Sequence, residues 1–407
     1  MREMRKSICL GLIAITGCAG SPAPLHQSSG LPYDSVASEP VASGVVHRRL
    51  VANQGPFTIN VLEVELRRRD IIVGAMHAFD SLRGREQTSA MAVRRGAAVI
   101  AAVNADFFDL KTGENENNQV IDGDVLKGVP LTDSPFDSLH TIHSQFGVTC
   151  DGQPVIDRFA FAGAVLTPPP ARAVLPLDAL NFRPRGDAMV LYTSAYGVTP
   201  ADSGARLTVE APLQLVERRG DTLQYRSAGA PRAGGGTSIH AGEAVLAGSG
   251  AAAEVVRRLA GSMTATSSLR VVTAFTPRRG RLCTLVGGWP RLVVDGQSIA
   301  DSVDRLEGTF SRFSTTRHPR TGVGFSRDSA TLYLITVDGR SESSSGMSLA
   351  EFAALMRALG VAQGLNLDGG GSTTLVIRGR VVNHPSDSTG ERRVGNALLV
   401  TRGRRPR

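Results

Sequence analysis

Two stretches of this chain, far apart in sequence, repeat one local pattern: a helix-forming run, a glycine that stops it, a short apolar strand, and Asn-x-Asp at the strand's end. The first spans Thr88 to Arg95, is closed by Gly96, and continues through Ala97–Val103 into Asn104-Ala-Asp106. In the second, Ser348-Leu-Ala-Glu351 forms a capping box, the Ser side chain taking one orphan amide and the Glu reaching back to another. Leu349, Phe352, Leu355, Met356 and Leu359 then share a helical face. Gly360 stops that helix, and Gly364–Leu367 runs through Asn366 into Asp368. Continuous apolar strands of this kind are buried on both faces. The expected fold class is therefore α+β, a mixed β-sheet core with a few packed helices. Strand side chains alternate, so the Asn and Asp of each pair project from one face. If both strands share one sheet, Asn104, Asp106, Asn366 and Asp368 converge at its carboxyl edge, where open sheets bind ligands.

Strand signals dominate the remainder. Thr58–Leu66 partly alternates, as a half-buried strand does. The region from 151 to 301 carries strands at Leu207–Leu215, Leu269–Phe275 and Arg291–Val294 and one helix at Ala251–Leu259. It reads as a β-rich continuation without a catalytic constellation, with Pro168-Pro-Pro170 and Gly234-Gly-Gly236 as loops. A strand at Thr331–Val337 and a hairpin at Leu375–Val382 complete one domain over 44–401.

The N-terminus reads as an export signal. Arg2, Arg5 and Lys6 precede an apolar run from Ile8 to Ile15, too short for the roughly 20 residues of a membrane-spanning helix. This assigns 1–17 to a signal peptide. Ile15-Thr16-Gly17-Cys18 resembles a bacterial lipobox, which implies lipidation of Cys18 and an exported protein anchored to a membrane of the cell envelope. Residues 18–43, rich in Ser, Pro, Ala and Gly, read as a flexible tether, and 402–407 as a basic tail. Cys9 lies in the leader and Cys18 is the expected anchor, so too few cysteines remain for a zinc site; Cys150 and Cys283 are left as a disulfide or as two buried thiols.

The formal net charge of +8 favours anionic partners such as phosphorylated glycans or lipid headgroups. No helix-turn-helix, zinc-finger or aromatic stacking pattern accompanies it, which argues against nucleic acid. Asp368-Gly-Gly-Gly-Ser372 supplies backbone that approaches a ligand where any Cβ would intrude. Arg317-His-Pro-Arg320 places two guanidinium groups at a Pro-stiffened turn, a geometry suited to phosphate. A Walker lysine is absent, and neither Ser372 nor Ser386 stands in a G-x-S-x-G elbow of a serine hydrolase. Carboxylates at Asp106, Asp122 and Asp338 are the candidate ligands for a divalent cation, Ca or Mg.

Five segments, in this order, resemble the phosphodiester glycosidase domain family: Asn104-Ala-Asp-Phe-Phe108, Arg317-His-Pro-Arg-Thr-Gly-Val-Gly324, Leu365-Asn-Leu-Asp-Gly-Gly-Gly-Ser-Thr373, Asn383-His-Pro-Ser-Asp387 and Glu391-Arg-Arg-Val-Gly-Asn-Ala-Leu398. Family members often carry glycine where this chain has Asp106. The resemblance implies a hydrolase that cleaves between a sugar's anomeric carbon and phosphate in a sugar 1-phosphodiester of envelope or exogenous glycans. On it, Asp368 attacks the anomeric carbon or activates water, with Asp106 and Asn104 beside it. Arg317, Arg320 and the Gly369, Gly370 and Gly371 amides hold phosphate; Asn104, Asn366 and Asn396 orient sugar hydroxyls, and Ser372 and Arg392 complete the substrate contacts. The competing reading is a non-catalytic envelope protein that binds or helps export anionic polysaccharide. Asp368 separates the two, since a plain anion site gains nothing from a carboxylate beside phosphate.

Overall fold

The computed structural model describes residues 34–404, apart from 133, 135–136, 169–172, 201–206 and 264–266. The signal peptide, Cys18, most of the tether, Pro169-Pro170 and the end of the basic tail lie outside the described residues. The part of the tether that is described is not loose: Ser35–Ala42 forms a strand paired with Val45–Ala52.

The chain is mostly β, with several sheets and few helices. Its centre is two sheets face to face, each backed by a helix. The larger has eight strands in the order Ser35–Ala42, Val45–Ala52, Phe57–Glu65, Thr331–Val337, Arg320–Phe325, Gln363–Asn366, Arg291–Val294 and Gln297–Ser298. The smaller has five: Arg380–Val381, Leu375–Ile377, Val99–Asn104, Asn396–Arg402 and Ile71–His77. The layering follows side-chain alternation. Leu398 and Val400 enter the core between the sheets with Leu62, Val64, Val103 and Leu334, whereas Ala397 and Leu399 turn outward to Met91 and Ala92 of the helix Thr88–Arg95.

On the far side of the large sheet, Ile59, Val61 and Ile335 meet the helix Leu349–Ala358. That helix begins with the expected capping box. Its Leu349, Phe352, Leu355 and Met356 are fully buried, each worth about 1.5–3 kcal/mol relative to exposure. The helix sits close because Gly322 lies beneath it: a Cβ there would stand 2.4 Å from Met356 Cε. Phe57–Glu65 is not the half-buried strand its alternation suggested, since Ile59 and Val61 face the helix while Leu62 and Val64 face the other sheet. A strand between two layers has no solvent face.

The middle region folds as expected into strands, a nine-stranded, mostly antiparallel array in which Ala179–Leu180 runs parallel to Met189–Thr193, with the helix Ala251–Ser262 packed on it. A further five-stranded sheet, containing Gln119–Ile121, Gln145–Thr149 and Leu282–Gly287, adjoins the central layers. Cys150 and Cys283 are joined by a disulfide with Cα atoms 4.7 Å apart, closing a loop of 133 residues. On the chain-entropy account, a loop of that size contributes about 5 kcal/mol by restricting the unfolded chain.

Candidate active site

The two Asn-x-Asp strand ends do meet, although not as neighbours in one sheet. Val99–Asn104 belongs to the five-stranded sheet and Gln363–Asn366 to the eight-stranded one, and their ends touch across the sandwich. Asn104 Nδ2 donates to the Asp368 carbonyl at 2.6 Å, and the Asp368 amide donates to the Ala105 carbonyl at 2.9 Å. Asn104 Oδ1 accepts from Thr321 Oγ1 and the Thr374 amide, so this wholly buried side chain clips three segments together.

Beside this junction opens a cavity of about 280 Å³, lined by Asp368, Gly369, Gly370, Gly371, Asn366, Glu116, His318, Arg320, Arg340, Arg392 and an aromatic wall. Asp368 is half-buried, and loss of hydration pushes its carboxyl up to about 6 despite the Ser372 hydroxyl and the Gly369 amide. Glu116 is pushed to about 8, first by burial and then by the nearby charges of Asp106 and Asp368. Asp106 is raised to about 7 by burial, against donors from Asn117 and Gln119. Three carboxyls therefore share a dry region, two of them lining the cavity.

Several expected roles move. Asp106 is 1% exposed and does not line the cavity; its carboxylate accepts from the Asn117 amide, Asn117 Nδ2 and Gln119 Nε2. Asn396 is likewise internal, its Oδ1 accepting from the Asp106 amide and its Nδ2 donating to Gln119 Oε1. Asn104, Asp106 and Asn396 thus hold the floor of the site rather than facing it. Ser372 is fully buried behind the glycines. Asn366 does line the cavity: its Nδ2 is engaged by the Trp289 and Leu367 carbonyls, while its Oδ1 is a buried acceptor without a partner. Such an orphan acceptor suits a ligand hydroxyl.

The cationic side also differs from expectation. Arg317 points away, its guanidinium paired with Glu351 at 3.1 Å and packed over the Phe57 ring, and it is absent from the cavity. Arg320, three residues on, turns inward. There it donates to the Met347, Phe313 and Thr316 carbonyls, and burial lowers its pKa to about 10. Arg392 lies over Gly371, held by Asp387 through contacts of 2.7 and 2.9 Å. A Cβ on Gly371 would come within 2.1 Å of both Arg392 Nη2 and Asp387 Oδ1, so glycine is required for this approach. The glycine loop is not a three-amide cradle: the Gly370 amide is taken by the Pro319 carbonyl and the Ser372 amide by Gly369. It brings cations to the cavity instead.

The proposed cation ligands are dispersed. Asp122 pairs with Arg95 on an exposed turn, Asp338 accepts from Asn383 Nδ2 and the His384 amide, and Asp106 is enclosed as described. Among the described residues, no group of three His, Cys, Asp or Glu side chains is placed to hold a metal ion. Glu116, Arg340 and the aromatic wall escaped the sequence reading. Glu116 stands in the polar run Gly113-Glu-Asn-Glu-Asn-Asn118, indistinguishable by composition from a solvated loop.

Residues 219–401 match the sequence profile of the phosphodiester glycosidase family, a stretch that contains Asp368, the glycine loop and all three cavity arginines. That stretch belongs to the phosphodiester glycosidase family. The mouse N-acetylglucosamine-1-phosphodiester alpha-N-acetylglucosaminidase is 38% identical over 93 residues, which are 23% of this chain and 18% of that protein. The match thus spans less than a fifth of that hydrolase. A hypothetical protein of Synechocystis has the same fold, with a TM-score of 0.70 at 20% identity over 91% of this chain and 64% of its own. A candidate exported protein of Burkholderia pseudomallei gives 0.63 at 23% identity, covering 85% and 74%. Asn104, Asp106 and Glu116 lie before the stretch that the glycosidase profile matches.

Proposed function

We propose that this chain hydrolyses the bond between a sugar's anomeric carbon and phosphate in a sugar 1-phosphodiester. The observation that carries the reading is the pairing, in one cavity, of two carboxyls of separated acidity with a cluster of cations. Near neutral pH, Asp368 is ionised and Glu116 holds its proton, the division of labour that glycoside cleavage needs. The sugar sits over Asp368 with a hydroxyl donating to Asn366 Oδ1. The phosphate rests against Arg340, Arg392 and His318, whose ring burial and neighbouring arginines keep neutral.

Asp368 attacks the anomeric carbon, or directs water to it, as the bond to the phosphate oxygen breaks. A protonated Glu116 meets the anionic diester without repulsion and passes its proton to the departing oxygen. The phosphate monoester leaves as a stabilised anion, so the cations contribute more than acid strength does. One water is consumed: its oxygen ends on the sugar, and its proton restores Glu116, whose own has gone to the phosphate.

A location in the cell envelope, by export and lipid anchoring at Cys18, belongs to the same reading and is supported by the basic and apolar leader and by Ile15-Thr16-Gly17-Cys18. Among the described residues no helix is long and apolar enough to cross a membrane. The test is a panel of sugar 1-phosphodiesters and plain aryl glycosides incubated with the protein. Sugar released from diesters alone supports the reading, and release from none of them favours the polysaccharide-binding alternative.

A further inference from the structure

The cavity is chemically two-sided in a way that hydrolysis of the sugar bond does not require. Its lining includes Arg340, Arg392 and His318 and also six large apolar side chains, Phe107, Phe108, Leu110, Trp289, Phe310 and Phe313, with Arg320 and Glu116 among the remaining polar groups. Trp289 offers no open ring for a sugar to stack on. Trp289 is 1% exposed, stacks with His143 at 4.9 Å and with Phe313 at 5.1 Å, and spends its Nε1 on the Glu307 carbonyl. Phe313 in turn carries the Arg320 guanidinium 5.2 Å from its ring centre. Apart from Glu116 and Arg320, what these side chains present is aliphatic and aromatic surface without hydrogen-bonding groups.

That surface continues to the mouth. Leu110 and Phe310, which line the cavity from different segments, are 63% and 40% exposed. Leu139, also exposed, lies against Gly308 next to Phe310: a Cβ on Gly308 would be 2.9 Å from its Cγ. Large apolar side chains left in water beside a cavity cost hydration free energy and mark a contact surface when they adjoin one another. The cavity volume of about 280 Å³ is just under the roughly 300–1,000 Å³ usual for small ligands. It takes a sugar phosphate, and the phosphate's second substituent must leave through the mouth.

Resting on the glycosidase reading above, we propose that this second substituent is a hydrocarbon chain, so that the substrate is a sugar carried on a lipid phosphate. A sugar or polyol against Leu110 and Phe310 would lose water to side chains that return no hydrogen bonds, whereas a chain gains from every methylene it lays on them. The cations recognise the phosphate and the rim recognises the chain. Products are the free sugar and the monophosphate of the lipid alcohol, with one water consumed.

The experiment compares kcat/KM of the full chain for methyl and octyl phosphodiesters of one sugar, each below its aggregation threshold. The expected octyl advantage is about tenfold or more, the scale on which apolar pockets separate short from longer chains. In Leu110→Ser/Phe310→Ser this ratio falls towards one. A wild-type ratio near one with the methyl ester hydrolysed would overturn the lipid proposal and leave the glycosidase reading standing. An octyl preference that persists in the double variant would overturn the rim's role. Release of sugar from neither ester, nor from any diester of the panel, would remove both proposals together.

Discussion

Asn104 Nδ2 donates to the Asp368 main-chain carbonyl at 2.6 Å, tying two strand ends separated by 264 residues. The bond fixes the carbonyl of the residue whose carboxylate is proposed to react, and the Asn104 Oδ1 end is occupied as well. Asn104→Ala strands three buried partners, so a loss of about 2–4 kcal/mol is expected. Turnover should fall further than stability explains, because Asp368 loses its anchor. Denaturant unfolding and kcat measured on the same preparation check both.

Activity should follow a bell-shaped pH profile. Asp368 must lose its proton, with a limb near 6, and Glu116 must keep its own, with a limb near 8. In Glu116→Gln the alkaline limb disappears and the maximal rate drops roughly 10²–10⁴-fold, the range of a lost proton donor. A kcat/KM profile from pH 5 to 9 for both proteins reads this directly.

Stability carries the same groups with a definite sign. Asp106, Glu116 and Asp368 have folded-state pKa values above their unfolded ones, so the folded chain retains protons that the unfolded chain has released. Stability is full below about pH 4 for these groups and is lost as pH rises through 6 to 8. The buried His77 and His143 act oppositely, lowered to about 3 and about 4, and cost stability as pH falls below 6.5. Above 6.5 only the carboxyl effect remains. Unfolding free energy should therefore decline between pH 6.5 and 8, by at most about 1.4 kcal/mol per pH unit for each proton difference, and Glu116→Gln should flatten the decline.

Arg317, outside the cavity, and Arg392, which lines it, should behave differently. Arg317→Ala removes an exposed pair with Glu351, costing about 0.2–1 kcal/mol and leaving turnover of the diester intact. Arg392→Ala opens the phosphate side and should lower kcat/KM by roughly 10²-fold or more, the loss of a charge-assisted contact of about 3 kcal/mol. Steady-state kinetics of the pair separates the inward cation from the outward one.

Much of the frame was legible because it is local. The Ser348–Glu351 capping box and the Thr88–Arg95 helix closed at Gly96 depend on neighbours within a few residues. The meeting of Asn104 with Asp368 was anticipated, but through a shared sheet; which strands pair depends on the whole layer arrangement, and here the two strands lie in facing sheets. The direction of a long side chain is less local still. Arg317 and Arg320 look equivalent in Arg317-His-Pro-Arg320, yet Glu351 draws one outward and three carbonyls draw the other in. Glu116 holds its proton because the fold buries it and, secondarily, brings Asp106 and Asp368 near it, neither of which a local reading of its polar run shows.

The central claim is that the Asp368 carboxylate acts on the anomeric carbon. The most direct measurement is sugar release from a hydrolysable 1-phosphodiester by Asp368→Asn, with its melting temperature recorded alongside. The account predicts an intact fold and turnover reduced by about 10³-fold or more, since a near-isosteric amide can neither attack nor take a proton. Undiminished turnover by that variant would contradict it.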